Sequence, residues 1–143
     1  LSGRDDVAQD QIVYLGHSLG AAVAVELALA RPPMAMILVS PFASVRDMAS
    51  ITLPFPPVAW LVRNDYDSLA RIRHLNVPLL VLHGDQDETV PLSQGRKLYD
   101  AANQPKRFQV LEGAAHNDTY EVGSEQYWGA IEEFLGELQP IDK

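Results

Sequence analysis

The amino-acid sequence predicts an α/β fold of about four mainly parallel strands, with helices flanking the sheet. Short apolar stretches alternate with longer helix-forming segments, and this alternation is typical of layered α/β proteins. The predicted strands are continuous apolar runs, as expected for parallel strands that helices cover on both faces. Serine, aspartate and histidine residues follow these strands, where a parallel sheet gathers its functional side chains. Residues 1–143 are therefore expected to form a single α/β domain.

The elements follow from the apolar runs and from helix boundaries. The first strand is predicted over residues 11–15, and the helix over residues 19–30 ends ahead of Pro32, because proline cannot continue a helix. Pro91 suits the first turn of a later helix. The other predicted elements are strands over residues 35–39, 79–82 and 107–111, and helices over residues 68–74, 92–102 and 125–138.

The first strand runs into Gly16-His17-Ser18-Leu19-Gly20, a Gly-x-Ser-x-Gly pattern that leads directly into a predicted helix. This is the layout of a nucleophile elbow, in which the serine lies at a strained turn between strand and helix. We expect the two glycines to keep Cβ atoms out of the turn. The helix N-terminus and the backbone N–H of Leu19 would favour a nearby oxyanion. The alternative is that Ser18 is an ordinary helix-capping serine.

Acidic and histidine residues follow two later strands. The strand over residues 79–82 leads into Asp85, Asp87 and Glu88, each of which is also suited to ordering a turn. The strand over residues 107–111 leads into His116, for which a plain surface-loop histidine is the alternative. The carboxyl ends of parallel strands meet at one edge of a sheet, so we expect Ser18, one of these carboxylates and His116 to gather there.

The order serine, acid, histidine, together with His-Gly-x-x-Asp-x-x-Val-Pro and His116-Asn117-Asp118-Thr119, resembles the α/β-hydrolases of the serine-hydrolase type. The segments are similar to a branch of small hydrolases related to the prolyl-oligopeptidase group, from Gln11 to about Leu138. The resemblance implies that Ser18 is the nucleophile, Asp87 the acid and His116 the general base, with Leu19 N–H as an oxyanion donor. The implied reaction is hydrolysis of a carboxylic ester, thioester or amide through an acyl-enzyme, without a cofactor or a metal.

Other polar residues in these motifs are expected to have supporting roles. The resemblance makes His17 and His83 scaffolding. His74 belongs to a polar helix end, where a solvated side chain is expected, and Asp118 is expected to order the loop that carries His116.

The connection over residues 41–67 is long, apolar and rich in proline. Long connections are usually functional or disordered, although core packing is an equal alternative here. This connection resembles the insertion point at which α/β-hydrolases form lids and acyl pockets. The resemblance therefore implies a pocket for a substrate with an apolar part, and the candidate wall residues are Phe42, Phe55, Trp60 and Leu61.

The resemblance also implies that the chain corresponds to half of an α/β-hydrolase fold. The N-terminal strands and the loop that supplies the second oxyanion donor are expected to be missing, and the loss of one such donor typically costs about 100- to 1000-fold in rate. The strand over residues 11–15 would then have an open apolar edge, which favours self-association. A non-catalytic hydrolase remnant that acts as an interaction module is therefore the alternative function.

Composition excludes several other classes of protein. The net charge of −8 is spread along the chain, which argues against nucleic-acid binding because that requires clustered lysine and arginine. The absence of cysteine excludes disulfides and thiolate sites, and is compatible with a cytoplasmic location. No apolar stretch is long enough to predict a membrane span, no signal peptide is visible, and no residue spacing resembles a metal site.

Overall fold

The computed structural model describes residues 11–52 and 66–138. Strands and helices alternate through most of this region, as the apolar pattern predicts. In chain order the described elements are β1 (Val13–His17), α1 (Leu19–Ala30), β2 (Ala35–Val39), α2 (Val45–Thr52), α3 (Ser68–Ile72), β3 (Leu79–Gly84), α4 (Leu92–Ala101), β4 (Lys106–Leu111) and α5 (Ser124–Leu138).

The four described strands form one parallel sheet in the order β1-β2-β3-β4. Each strand pairs with the next one along the chain. Leu15 lies opposite Ile37, and Ile37 in turn lies opposite Leu80. The predicted fold class, about four parallel strands with flanking helices, is confirmed.

The two central strands separate two apolar layers. Met36 and Leu38 of β2 face a cluster formed with α1, α4 and the segment around Ile72. Their neighbours Ile37 and Val39 face the opposite cluster, which α5 closes. All residues of β2 and β3 are buried, because helices cover both faces of these strands.

Several predicted boundaries differ from the structure by one or two residues, and those of β1 and α3 are the most informative. The first strand begins and ends two residues later than predicted, since Gly16 and His17 continue the pairing with Leu38 and Val39. An apolar run cannot show this, because neither of the added residues is apolar. The helix predicted over residues 68–74 ends at Ile72, and the chain continues in a turn.

Helix α2 lies inside the apolar, proline-rich connection over residues 41–67, where no helix is predicted from the sequence. The Ser44 hydroxyl accepts a hydrogen bond from the Asp47 N–H at 3.0 Å, which is the contact of a helix N-cap. The Ser-x-x-Asp spacing is a start signal that could have predicted α2. Residues 53–65 of the connection lie outside the described residues, so its proposed role as a lid or pocket stays a prediction.

The outer edge of the described sheet carries exposed apolar side chains. Leu15 on the edge strand β1 is 56% exposed. Helix α1 exposes Leu19, Val23 and Leu27, which follow one another at intervals of four residues and so lie along one face of the helix. We refer to these three residues as the α1 stripe. In the part of the chain that is described, no helix has the length and apolar character needed to cross a bilayer.

Candidate active site

Four polar side chains lie directly beyond the carboxyl ends of the strands. Ser18 follows β1, Ser40 follows β2, Asp87 follows β3 and His116 follows β4. Because the strands are parallel, these ends meet at one edge of the sheet, which is where open α/β sheets place their ligand sites. These four residues therefore lie at the same edge of the described sheet.

Ser18 occupies a strained turn between β1 and α1. Its backbone has a φ of 53° and a ψ of −118°, a conformation that residues other than glycine rarely adopt. Such strain costs on the order of 1–3 kcal/mol and is concentrated at functional sites. The Ser18 side chain makes no capping hydrogen bond to α1, which removes the alternative of an ordinary helix cap. The Ser18 N–H instead donates to the Val39 carbonyl at 2.9 Å and fixes the turn against β2.

The two glycines of the elbow differ in what they contribute. A Cβ on Gly16 would lie 2.4 Å from the Gly20 carbonyl oxygen, so the turn closes only because Gly16 lacks one. A Cβ on Gly20 would meet no described atom within 4 Å, outside the neighbouring residues and the helix's own backbone. The expectation that both glycines keep Cβ atoms out of a crowded turn is therefore right for Gly16 and wrong for Gly20.

Asp87 and His116 form a hydrogen-bonded pair. The Nδ1 atom of His116 lies 2.7 Å from Asp87 Oδ2, and the Asp87 side chain is fully buried. The carboxylate can only accept, so Nδ1 carries the proton and Nε2 of a neutral His116 ring is left as an acceptor. The hydrogen bonds among the described residues do not include one between Ser18 and His116.

The loop after β3 stabilises the charged form of Asp87. Its Oδ1 accepts hydrogen bonds from the backbone N–H groups of Thr89, at 3.0 Å, and Val90, at 2.7 Å. Burial alone would raise the pKa of Asp87, but the hydrogen bonds from His116 and Val90 outweigh it and lower the pKa below its ordinary value. The Ser40 hydroxyl also lowers this pKa, although it does not reach hydrogen-bond geometry with any described group. Asp87 is therefore held as a carboxylate.

His83 forms a hydrogen bond with the same loop. The side chain is completely buried, and its Nε2 atom lies 2.9 Å from the Val90 carbonyl oxygen. Burial lowers the pKa of His83, and this effect outweighs the hydrogen bond to Val90 and the charge of Asp87, which raise it. His83 is therefore a neutral ring that donates from Nε2, in agreement with the scaffolding role that the resemblance implied.

His17 contacts the loop that carries His116. Its Nε2 atom lies 2.9 Å from the carbonyl oxygen of His116, and the centroids of the two rings are 4.8 Å apart. The resemblance implied a scaffolding role for His17 but named no partner for it. The signal available in the sequence was its position next to Ser18, but sequence alone could not show a contact with a residue 99 positions away.

The competing polar residues have structural contacts of their own. Asp85 Oδ1 accepts from the Gly113 N–H at 2.8 Å, and Asp118 Oδ1 accepts from the Ala115 N–H at 2.6 Å. Both carboxylates thus order the loop that leads to His116, as predicted for Asp118. Glu88 and His74 are exposed. Of the three carboxylates after β3, Asp87 is the one that reaches His116.

Two cavities adjoin His116. The smaller, of about 260 Å³, is lined by His17, Val39, His116, Asn117, Thr119, Tyr120 and Tyr127. The larger, of about 490 Å³, has a polar and acidic lining of Gln86, Glu88, Thr89, Ala115, His116, Asn117 and Asp118. His116 and Asn117 line both cavities, so each cavity borders the loop that carries His116.

The predicted pocket residues are only partly described. Phe42 is buried and packs with Ala22 and Val90, and it lines neither of the two cavities. Phe55, Trp60 and Leu61 lie outside the described residues. The backbone N–H of Leu19 is in the first turn of α1, where it has no acceptor within the helix. Across residues 11–52 and 66–138 the side chains form no cluster that could hold a metal ion.

Comparison with known sequences gives relatives that are longer than this chain. An uncharacterised protein of Mycobacterium tuberculosis (strain ATCC 25618 / H37Rv) is 42% identical over 137 residues, covering 96% of this chain and 49% of the relative. The alpha/beta hydrolase domain-containing protein WAV2 of Arabidopsis thaliana is 34% identical, covering 98% of this chain and 51% of the relative. The lysophosphatidylserine lipase ABHD12 of Mus musculus is 32% identical, covering 92% of this chain and 40% of the relative. The chain thus spans about half the length of the curated relatives it matches, or less.

A family model described as "Serine aminopeptidase, S33" matches residues 61–122, a range that includes Asp87 and His116 but not Ser18. Solved structures give the same fold. A meta-cleavage product hydrolase from Pseudomonas fluorescens superposes with a TM-score of 0.70 at 16% identity, covering 92% of this chain and 66% of that one. Alpha/beta hydrolase domain-containing protein 10 from mouse superposes with a TM-score of 0.69 at 19% identity, covering 94% of this chain and 66% of that one. The parallel sheet, its strand-end residues and these likenesses together show that the chain belongs to the α/β-hydrolase family.

Proposed function

We propose that this chain carries the Ser-Asp-His site of a serine hydrolase that cleaves a carboxylic ester, thioester or amide. The observation that carries the proposal is the 2.7 Å hydrogen bond between Asp87 and His116, on loops that follow β3 and β4. Ser18 follows a third strand of the same parallel sheet, and its strained backbone is typical of a nucleophile elbow. A buried acid–histidine pair at the same sheet edge as a strained serine favours nucleophilic catalysis over a purely structural role.

In the proposed reaction Ser18 Oγ attacks the substrate carbonyl while His116 Nε2 takes the hydroxyl proton. Asp87 holds the other ring nitrogen, so that the correct tautomer is present and the imidazolium is stabilised. Leu19 N–H, at the positive end of α1, would donate to the oxyanion. His116 then returns the proton to the leaving group as the bond between carbonyl carbon and leaving group breaks. Water, activated by His116, releases the acid from the acyl-enzyme and restores Ser18.

The surroundings of His116 support a substrate with an apolar part. Val39, Tyr120 and Tyr127 give the smaller cavity an aromatic and aliphatic lining, which suits an acyl chain or another apolar group. The mouse relative is named a lysophosphatidylserine lipase, so lysophosphatidylserine is one ester worth testing on this chain.

Covalent labelling with a fluorophosphonate probe tests the proposal, because the probe reports an activated serine whatever the substrate. We expect labelling of the wild-type chain and of Ser93→Ala, which changes an exposed serine of α4, and none of Ser18→Ala. A folded wild-type chain that takes up no probe, or labelling that persists in Ser18→Ala, would contradict the proposal. A panel of short esters, long-chain esters and thioesters, prolyl amides and lysophosphatidylserine would then identify the scissile bond.

A second candidate function is that of an interaction module without catalysis. The observation that favours it is the exposed apolar surface formed by Leu15 on the edge strand and by the α1 stripe. Exposed strand edges and apolar side chains favour pairing with another chain. A folded wild-type chain that resists the probe but self-associates in sedimentation would support this candidate.

A further inference from the structure

A single hydrogen bond joins the elbow after β1 to the loop after β4, as far as the described residues show. It runs from His17 to the backbone carbonyl of His116, across 99 positions of the chain. The carbonyl oxygen can only accept, so His17 must carry its proton on Nε2. The direction of the bond is therefore fixed by chemistry, and the contact requires a donor at the position of that one ring nitrogen.

The other described hydrogen bonds of the His116 loop do not reach the elbow. The Asp85 and Asp118 carboxylates hold the backbone N–H groups of Gly113 and Ala115, and the Gln86 N–H donates to the Ala114 carbonyl at 3.0 Å. These contacts bind the loop to itself and to the segment after β3. The elbow is anchored separately, by the Ser18 N–H on β2.

We propose that His17 is a positioning residue, which holds the loop of the proposed base His116 at a fixed distance from the proposed nucleophile Ser18. This inference rests on the proposed function. His17 precedes the strained Ser18 directly in the chain, so its hydrogen bond links the His116 loop to the residue next to Ser18. The ring also lies against the His116 ring, at 4.8 Å between centroids with 40° between the planes. His17 acts through His116 and takes no proton from the substrate.

The exposure of His17 makes the proposal testable without destroying the fold. The residue is exposed and belongs to none of the apolar clusters. Glutamine places its Nε2 donor where the histidine Nε2 lies, whereas the shorter asparagine places its donor near the position of Nδ1. His17→Gln and His17→Asn therefore form a matched pair that differs in reach and not in chemistry. His74→Gln, at an exposed histidine in another part of the fold, is the control for loss of an imidazole.

The first measurement is the rate of fluorophosphonate labelling, separated into probe binding and the bond-forming step, with folding checked by circular dichroism. We expect His17→Asn to slow the bond-forming step by about 10- to 100-fold, because a misplaced catalytic group costs that much. His17 also lines the smaller cavity, so the comparison is made on the bond-forming step alone. His17→Gln should restore that step to near the wild-type rate, and His74→Gln should leave it unchanged. Labelling of folded His17→Asn at the wild-type rate would overturn the proposal. An equal loss in His17→Gln and His17→Asn would overturn it too, because the donor would then not be what matters.

The second measurement needs no activity and separates this inference from the proposed function. The His116 Nδ1 proton, shared with Asp87, is followed by NMR through its exchange with solvent in the full chain. We expect faster exchange in His17→Asn than in the wild type, and wild-type exchange in His17→Gln. A wild-type chain that is not labelled but shows this pattern would refute the proposed function and leave the positioning role standing. Unchanged exchange in His17→Asn would refute the positioning role.

Discussion

Gly84 is the position where one added methyl group should separate the two loops of the candidate site. It is the last residue of β3, and a Cβ built there would lie 2.1 Å from the Ala114 carbonyl oxygen and 3.1 Å from that of Ala115. Both obstacles are backbone atoms, and Ala114 is completely buried. The chain around His116 therefore has to move if Gly84 acquires a side chain.

The size of the effect follows from that overlap. Non-bonded heavy atoms are comfortable at about 3.5 Å, so Gly84→Ala requires the loop to retreat by about 1 Å or more. Overpacking costs about 1–3 kcal/mol, and loss of the hydrogen bond from Gln86 to Ala114 adds about 0.5–1.5 kcal/mol. We expect the free energy of unfolding to fall by about 2–4 kcal/mol and Tm by roughly 6–12 °C. A displacement of this size should also slow labelling of Ser18 by about 100-fold.

Urea unfolding followed by circular dichroism, together with the labelling rate, measures both effects. Gly129→Ala is the matched control, because an added Cβ in α5 meets no described atom within 4 Å outside its neighbours and its own helix backbone. The control should be neutral or more stable by about 0.5–1 kcal/mol, from the higher helix propensity of alanine. If Gly84→Ala proves as stable and as reactive as Gly129→Ala, the close approach of the two loops does not constrain the site.

Four further predictions follow. Gly95→Ala should lower the urea midpoint despite its helical position, because the Cβ would lie 2.3 Å from Nδ1 of buried His83; an unchanged midpoint would refute this contact. Burial lowers the pKa of His83, so the folded protein holds this ring neutral. The free energy of unfolding is therefore unaffected above the unfolded pKa of about 6.5 and falls as pH drops below it. Thermal unfolding from pH 8 to 5 should then show the wild type losing up to about 1.4 kcal/mol per pH unit relative to His83→Gln, and parallel curves would contradict that. Asp87→Asn should slow labelling by about 10⁴-fold, the size of the matching change in a serine protease, and a drop of less than tenfold would argue against Asp87 as the acid. In sedimentation equilibrium at micromolar concentration the wild type should self-associate and Leu15→Lys/Val23→Lys should be monomeric, whereas a monomeric wild type would refute association through this surface.

The interior of the fold could be predicted from sequence, and its edges only in part. Strand β2 and helix α1 have the predicted bounds, because a continuous apolar run and a proline-terminated helix are strong local signals. Strand β1 was predicted two residues early, since pairing with β2, and not apolarity, carries it through His17. Helix α2 has a capping signal at Ser44, but the surrounding prolines made the whole connection look irregular.

The candidate site shows the same division between local and distant information. The motifs indicated Ser18, Asp87 and His116, and resemblance favoured Asp87 over Asp85. The structure agrees with that preference, because Asp87 lies within hydrogen-bond distance of His116, whereas Asp85 accepts from the Gly113 N–H. The contact of His17 could not be predicted, since no local pattern encodes a hydrogen bond to another loop.

The contacts around His116 also make the site a reporter of folding. The bonds from Asp87 and His17 to His116 join residues 29 and 99 positions apart in the chain. No isolated helix or single strand–helix unit contains them, so they form only when the ends of β1, β3 and β4 are brought to one edge of the sheet. Cooperative unfolding would break both bonds together. Fluorophosphonate labelling of Ser18 should therefore disappear at the same denaturant concentration as the helical signal in circular dichroism. Labelling of this one hydroxyl would then report the folding of the whole described sheet.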